Sequence, residues 1–109
     1  MLDAQKYSIE WPAFVHFEND PELLYFNDQS EWEKYQHKDN SDNEHFESED
    51  RFIDSNGKSY SLTINDSPNQ LSLDQILGLV KAHLSDQGSC CVAKIYASTI
   101  KETILLIKP

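Results

Sequence analysis

Glycine is scarce in this chain, three residues in 109, and that scarcity removes several functions at once. A phosphate cradle is built from glycine-rich backbone, and neither a Gly-x-Gly-x-x-Gly turn nor a Walker-type loop is present. Basic residues are few as well: nine Lys and Arg stand against nineteen Asp and Glu, for a net charge of −10 and a pI near 4.6. Nucleic acids and anionic membrane surfaces both need Lys and Arg to neutralise them, so neither is an expected partner. Long apolar runs are missing; none approaches the roughly 20 residues that span a bilayer. The opening stretch, MLDAQKYSIEWPAF, has no basic segment leading into an apolar one, which argues against a secretory signal. Cysteine is limited to Cys90 and Cys91. Adjacent strand residues point to opposite faces, so a bond between these two would be strained, and both are read as reduced structural residues. These absences together predict a soluble, bacterial-type cytoplasmic protein.

What is present is enough for a core. Apolar residues make up 39% of the chain and aromatics 11%, too many for a disordered polymer. The length fits one domain near the commonest size. We read residues 1–109 as a single domain, with 1–6 loose.

The charge is spread unevenly. Residues 1–66 hold 16 of the 19 acids and 5 of the 9 bases, and residues 67–109 the remaining 3 and 4. Six acids, Asp39, Asp42, Glu44, Glu47, Glu49 and Asp50, fall in one stretch with no Lys or Arg among them. Residues 38–50 contain a single apolar residue, Phe46, and are predicted to form an acidic loop. Such a run reads as a solvated loop that aids solubility, or as an electrostatic handle for a basic partner, or as a mimic of nucleic-acid phosphates.

The element pattern is mixed. Ala13, Val15 and Phe17 alternate with Phe14, His16 and Glu18, which predicts a strand entered through Trp11-Pro12. The turn signal Asn19-Asp20-Pro21-Glu22 leads to a second strand over Leu23–Phe26. Ser30 with Glu33 predicts a capping box opening a helix over 30–37 that buries Trp32 and Tyr35. Asn56-Gly57 predicts a tight primed turn joining Arg51–Asp54 to a strand over 59–64. There Tyr60, Leu62 and Ile64 face the core, with Ser59, Ser61 and Thr63 on a wet or lightly covered side. Residues 65–70 are predicted as a linker. Ser72 and Gln75 open a helix over 72–86 with Leu73, Ile76, Leu77, Val80 and Leu84 in one stripe, ended by Gly88. Alternation over Cys90–Ala97 predicts a strand. Thr99 with Glu102 opens a last helix to Lys108, with Ile100, Ile104 and Ile107 inward. The expected order is β-β-α-β-β-α-β-α, an α+β fold with a mostly antiparallel sheet and helices packed on one face.

Catalytic patterns are thin. No Gly-x-Ser-x-Gly elbow occurs; Cys90 or Cys91 beside His83 is the one conceivable nucleophile and base, and the plainer reading is two small core residues and a helix-edge histidine. His37 and His45, flanked by Asp39, Asp42 and Glu44, could form at most an adventitious divalent site. Among the carboxylates only Glu10 and Asp54 sit in apolar company, and a solvated turn or strand end accounts for both. No cofactor, metal or catalytic residue is expected.

Several segments resemble a known family. They are Trp11-Pro12-Ala13, Asp20-Pro21-Glu22-Leu23-Leu24-Tyr25, the stretch from Asp50 through Leu62, and Gly88-Ser89-Cys90-Cys91 after the Leu-rich helix. Together they are similar to a family of small, functionally uncharacterised acidic proteins of gammaproteobacteria. The resemblance spans nearly the whole chain, implies a stand-alone cytoplasmic domain and carries no functional residue. The expected function is therefore non-enzymatic and works through protein–protein contact, with a homodimer as one form. The candidate partner-binding residues are the six acids Asp39, Asp42, Glu44, Glu47, Glu49 and Asp50, with Trp11 and Trp32. The alternatives are an acidic nucleic-acid mimic binding a basic partner, or a small hydrolase or metal-dependent enzyme.

Overall fold

Short apolar runs, Ala-Phe-Val and Leu-Leu-Tyr-Phe, make Ala13–His16 (β1) and Leu23–Phe26 (β2) an antiparallel pair in which Val15 faces Leu24 and Phe14 faces Tyr25. The computed structural model describes residues 8–18, 20–38, 50–62, 67–88 and 95–108, with backbone only at 36–38. After β2 come α1 (Gln29–Lys38), β3 (Arg51–Ile53), β4 (Lys58–Ser61), β5 (Asn69–Gln70), α2 (Leu73–Asp86) and α3 (Ile100–Leu105). The five strands form one antiparallel sheet in the order β2-β1-β3-β4-β5. The α+β class and the antiparallel sheet are those expected from the sequence.

The helices are divided between the two faces of that sheet, where the sequence suggested one. Ala13, Val15, Phe26, Phe52, Tyr60 and Leu62 point to one side and pack with Trp32 of α1. Phe14, Leu23 and Ile53 point to the other and pack with Ile76 and Val80 of α2 and with Ile104 and Ile107. Side chains alternate along a strand, and β1 is apolar at both parities until His16. It therefore needs cover on both faces, and Ala13, Phe14 and Val15 are all fully buried.

The face toward α1 is an aromatic cluster. Trp32 meets Phe26 at 5.0 Å and Phe52 at 4.9 Å, both edge-on, and stacks on Tyr35 at 5.8 Å. Each such contact is worth about 0.5–1.5 kcal/mol beyond the area it buries. Asp28 caps α1, in place of the expected Ser30. Its Oδ1 accepts the Glu31 N–H at 3.0 Å and its carbonyl the Trp32 N–H at 3.3 Å. Starting the helix one residue sooner puts Ser30 inside the first turn, and Asp is as strong a cap as Ser.

Two further differences concern strands. Residues 69–70, expected in a linker, extend the sheet as β5 beside Lys58 and Ser59. Ile95–Ala97, expected as the end of a strand, are not in one, and residues 89–94, with Cys90 and Cys91, lie outside the described residues. The helix ends follow the sequence more closely. Ser72 and Gln75 exchange the two bonds of a capping box on α2, and Gly88 beyond its end takes φ +88°. On α3, Thr99 accepts the Glu102 N–H, while the Glu102 carboxylate reaches back to the Ser98 N–H and hydroxyl.

Candidate functional site

The sharpest polar construction surrounds Asp54, which follows β3. Ile53 pairs with Ser59 and the Asp54 N–H donates to the Lys58 carbonyl, so the loop holds three residues, 55–57, not the two of the expected primed turn. Only Gly57 needs a positive φ here, +81°, as a three-residue hairpin loop requires of its last member. The Asp54 carboxylate, fully buried, spends itself on backbone: Oδ1 accepts from Asn56 at 2.9 Å and Lys58 at 3.0 Å, and Oδ2 from Glu10 at 3.2 Å. Ser55 donates its hydroxyl to the Pro12 carbonyl at 2.6 Å and its N–H to the Glu10 carbonyl at 2.9 Å. Asp54 and Ser55 thus stitch residues 10–12 to the hairpin, and this carboxylate is a structural acceptor.

A second polar group lies where the apolar parity of β1 ends. The register sets His16, Arg51 and Ser61 side by side across β1, β3 and β4, on the face of Phe14 and Ile53. Arg51 donates from Nε to the Ser59 hydroxyl at 2.8 Å and from a terminal nitrogen to the Ser59 carbonyl. Ser59 and Ser61 are buried, so the serine side of β4 is covered and not wet. Burial lowers the His16 pKa below its ordinary value, with the carboxylates of Asp50 and Asp20 pulling the other way. His16 and Arg51 are half-buried and Ser61 is buried, and the bonds from Arg51 to Ser59 join β3 to β4.

The expected partner-binding residues are placed as follows. Asp39, Asp42, Glu44, Glu47 and Glu49 lie outside the described residues, as does His45, and of His37 only the backbone is described. Asp50 is 2% exposed and its Oδ1 accepts the Glu18 N–H at 2.7 Å. That burial separates it from any exposed handle, because its carboxylate secures the chain leaving β1. Trp32 is fully buried in the aromatic cluster, which makes it a core anchor. Trp11 is half-buried, edge-on to Phe52 at 5.8 Å. His83 is half-buried on α2, and its Nδ1 accepts the Leu23 N–H of β2 at 2.9 Å. Among the described residues, no three His, Cys, Asp or Glu side chains come together as a metal site, and no helix is long and apolar enough to cross a membrane.

Two surface features went unread in the sequence. Leu105 and Leu106, at the end of α3, are 41% and 40% exposed, and Tyr96 is more exposed still. The other is an open groove of about 500 Å3 along the edge strand β2, lined by Tyr25, Phe26, Asn27, Glu31, Lys34 and Lys108. The Tyr25 hydroxyl donates to Asn27 Oδ1 at 3.1 Å; burial and then the nearby Glu31 raise its pKa above the ordinary tyrosine value. No local signal in the sequence could have joined Lys34 to Lys108, since only the fold brings them to one groove.

A family described as a protein structure with unknown function, DUF4144, matches residues 11–107. A protein from Shewanella amazonensis, solved by NMR, superposes with a TM-score of 0.69 at 22% identity, over 91% of this chain and 87% of that one. At that identity the likeness establishes the fold alone. No curated protein matches the sequence.

Proposed function

The chain belongs to the DUF4144 family, a domain of unknown function, and from that premise we propose that it is a bacterial cytoplasmic domain that works through protein–protein contact. The observation that carries this reading is the adjacent pair Leu105 and Leu106, two large apolar side chains each about two-fifths exposed at the end of α3. Burying such a pair against a partner would return about 25 cal/mol for each Å2 of apolar surface removed from water. Among the described residues, four polar groups that a hydrolase could use are engaged elsewhere. Asp54, Asp50 and His83 each accept backbone N–H groups, and Ser55 donates to a backbone carbonyl.

Contact by strand addition has less support. On the outer edge of β2 the Leu23 N–H is held by His83 and the Asn27 N–H by Glu31. At the other edge β5 is two residues long. Short edges and side chains laid over edge amides are ordinary means of preventing sheet extension. The contact we propose is therefore made by side chains of α3, with a second copy of the chain among the partners.

The test is a pulldown and a sedimentation run on the protein and on Leu105→Asp/Leu106→Asp, each at low and high salt. The reading expects a specific partner or a dimer that survives high salt and is lost in the double variant. Association unchanged in that variant would overturn it. Association abolished by salt and by neutralising Asp39, Asp42, Glu44, Glu47 and Glu49 would favour the acidic-handle alternative instead.

A further inference from the structure

The groove along β2 has a charge at odds with the chain that forms it. The protein carries nineteen acids and nine bases, yet two ammonium groups and one carboxylate line this concavity. The carboxylate is committed: Glu31 accepts the Asn27 N–H, closing the start of α1. Lys34 and Lys108 are both exposed and pair with no described residue. They come from the middle of α1 and from the segment after α3, so the fold itself assembles them. Tyr25 also lines the groove, and its hydroxyl donates to Asn27 Oδ1.

The edge of β2 also limits what can enter. Outward amides alternate along an edge strand, so Leu23, Tyr25 and Asn27 face away from β1. The first is bonded to His83 and the last to Glu31. One backbone amide, that of Tyr25, is left between them, too few to hold an extended peptide as a sixth strand. The groove volume of about 500 Å3 lies in the range of small-molecule sites.

We propose that this groove binds a small organic anion, with its carboxylate or phosphate between Lys34 and Lys108 and its body against Tyr25. The proposal is independent of the α3 contact, which uses Leu105 and Leu106.

The experiment is an amide-resolved NMR titration of the full chain with benzoate, phenyl phosphate, benzylamine and an acidic peptide of glutamates. The expected result is a saturable shift of the Tyr25, Asn27 and Lys34 amides with benzoate or phenyl phosphate, and none with benzylamine. The stronger of the two anions identifies the headgroup. In Lys34→Gln/Lys108→Gln the affinity should fall about ten-fold or more, with the thermal midpoint kept. Since both lysines are exposed, that variant folds, and loss of binding cannot be ascribed to unfolding. The proposal is overturned by an absence of saturable shifts, by an equal response to benzylamine, by binding that survives in the double variant, or by tighter binding of the peptide than of either small anion.

Discussion

His83 Nδ1 accepts the backbone N–H of Leu23 at 2.9 Å, joining the last turn of α2 to the first residue of the edge strand β2, 60 residues away. Because the amide must donate, Nδ1 must carry a lone pair, and the ring proton of the neutral histidine sits on Nε2. One side chain thereby ties a helix to the sheet and covers an edge amide.

Replacing His83 with Ala removes that acceptor and leaves the Leu23 N–H to water. The expected cost is about 1–2 kcal/mol, read as a lower denaturant midpoint. Hydrogen exchange at Leu23 should accelerate far more than at Phe26. Unchanged exchange at Leu23 would show that the bond contributes no protection.

Asp54 should be among the most sensitive polar positions. Asp54→Ala strands three backbone donors, of Glu10, Asn56 and Lys58, and is expected to cost about 3 kcal/mol or more. Asp54→Asn should cost less. Its oxygen can still accept from Asn56 and Lys58, while its NH2 would face the Glu10 N–H. Chemical denaturation of the two variants gives the order directly.

Two glycines should respond with opposite signs. Gly57 has φ +81°, and a Cβ there would lie 2.8 Å from the Leu71 carbonyl oxygen and 2.9 Å from Ile100. Gly57→Ala is expected to lose about 1–2 kcal/mol from the backbone alone, and more from the clash. Gly78 is in the middle of α2 with nothing within 4 Å of a built Cβ. Gly78→Ala should gain about 1 kcal/mol. Paired thermal melts check both.

His16 sets a pH dependence. Burial, the larger influence, holds its folded pKa below the ordinary 6.5 despite Asp50 and Asp20. As pH falls through about 6.5 the unfolded chain takes up the proton first. Stability therefore declines with falling pH from there down to the lowered folded pKa, and this contribution is flat at higher pH. His16→Gln should lessen the slope between neutral and mildly acidic pH, measured as unfolding free energy against pH.

The capping box at Ser72, the Thr99 cap, the Ile76 and Val80 core positions of α2 and the Ile104–Ile107 core contacts were legible because each is a relation among residues within a few positions. The same local logic placed β1 and β2. It went astray where two local solutions compete. Asp28 and Ser30 are both good caps, and Asn-Gly suits either a two-residue turn or the end of a three-residue loop. It was blind where the partner is distant, as for Asn69 and Gln70, which have no strand-forming pattern and join the sheet because Lys58 and Ser59 lie beside them.

The sequence by itself determined that this is an acidic α+β domain with an antiparallel sheet, because composition and periodicity act through neighbours along the chain. The tertiary structure decided which polar residues are spoken for. In the sequence Asp50 reads as part of an acidic loop and Asp54 as a solvated turn or strand end, and burial beside backbone amides made both structural. Trp32 could have been an interface anchor, and the two-sided sheet drew it into the core. Lys34 and Lys108 came to line one groove only when the fold brought α1 and the segment after α3 to the same edge strand, β2, a relation that no local spacing encodes.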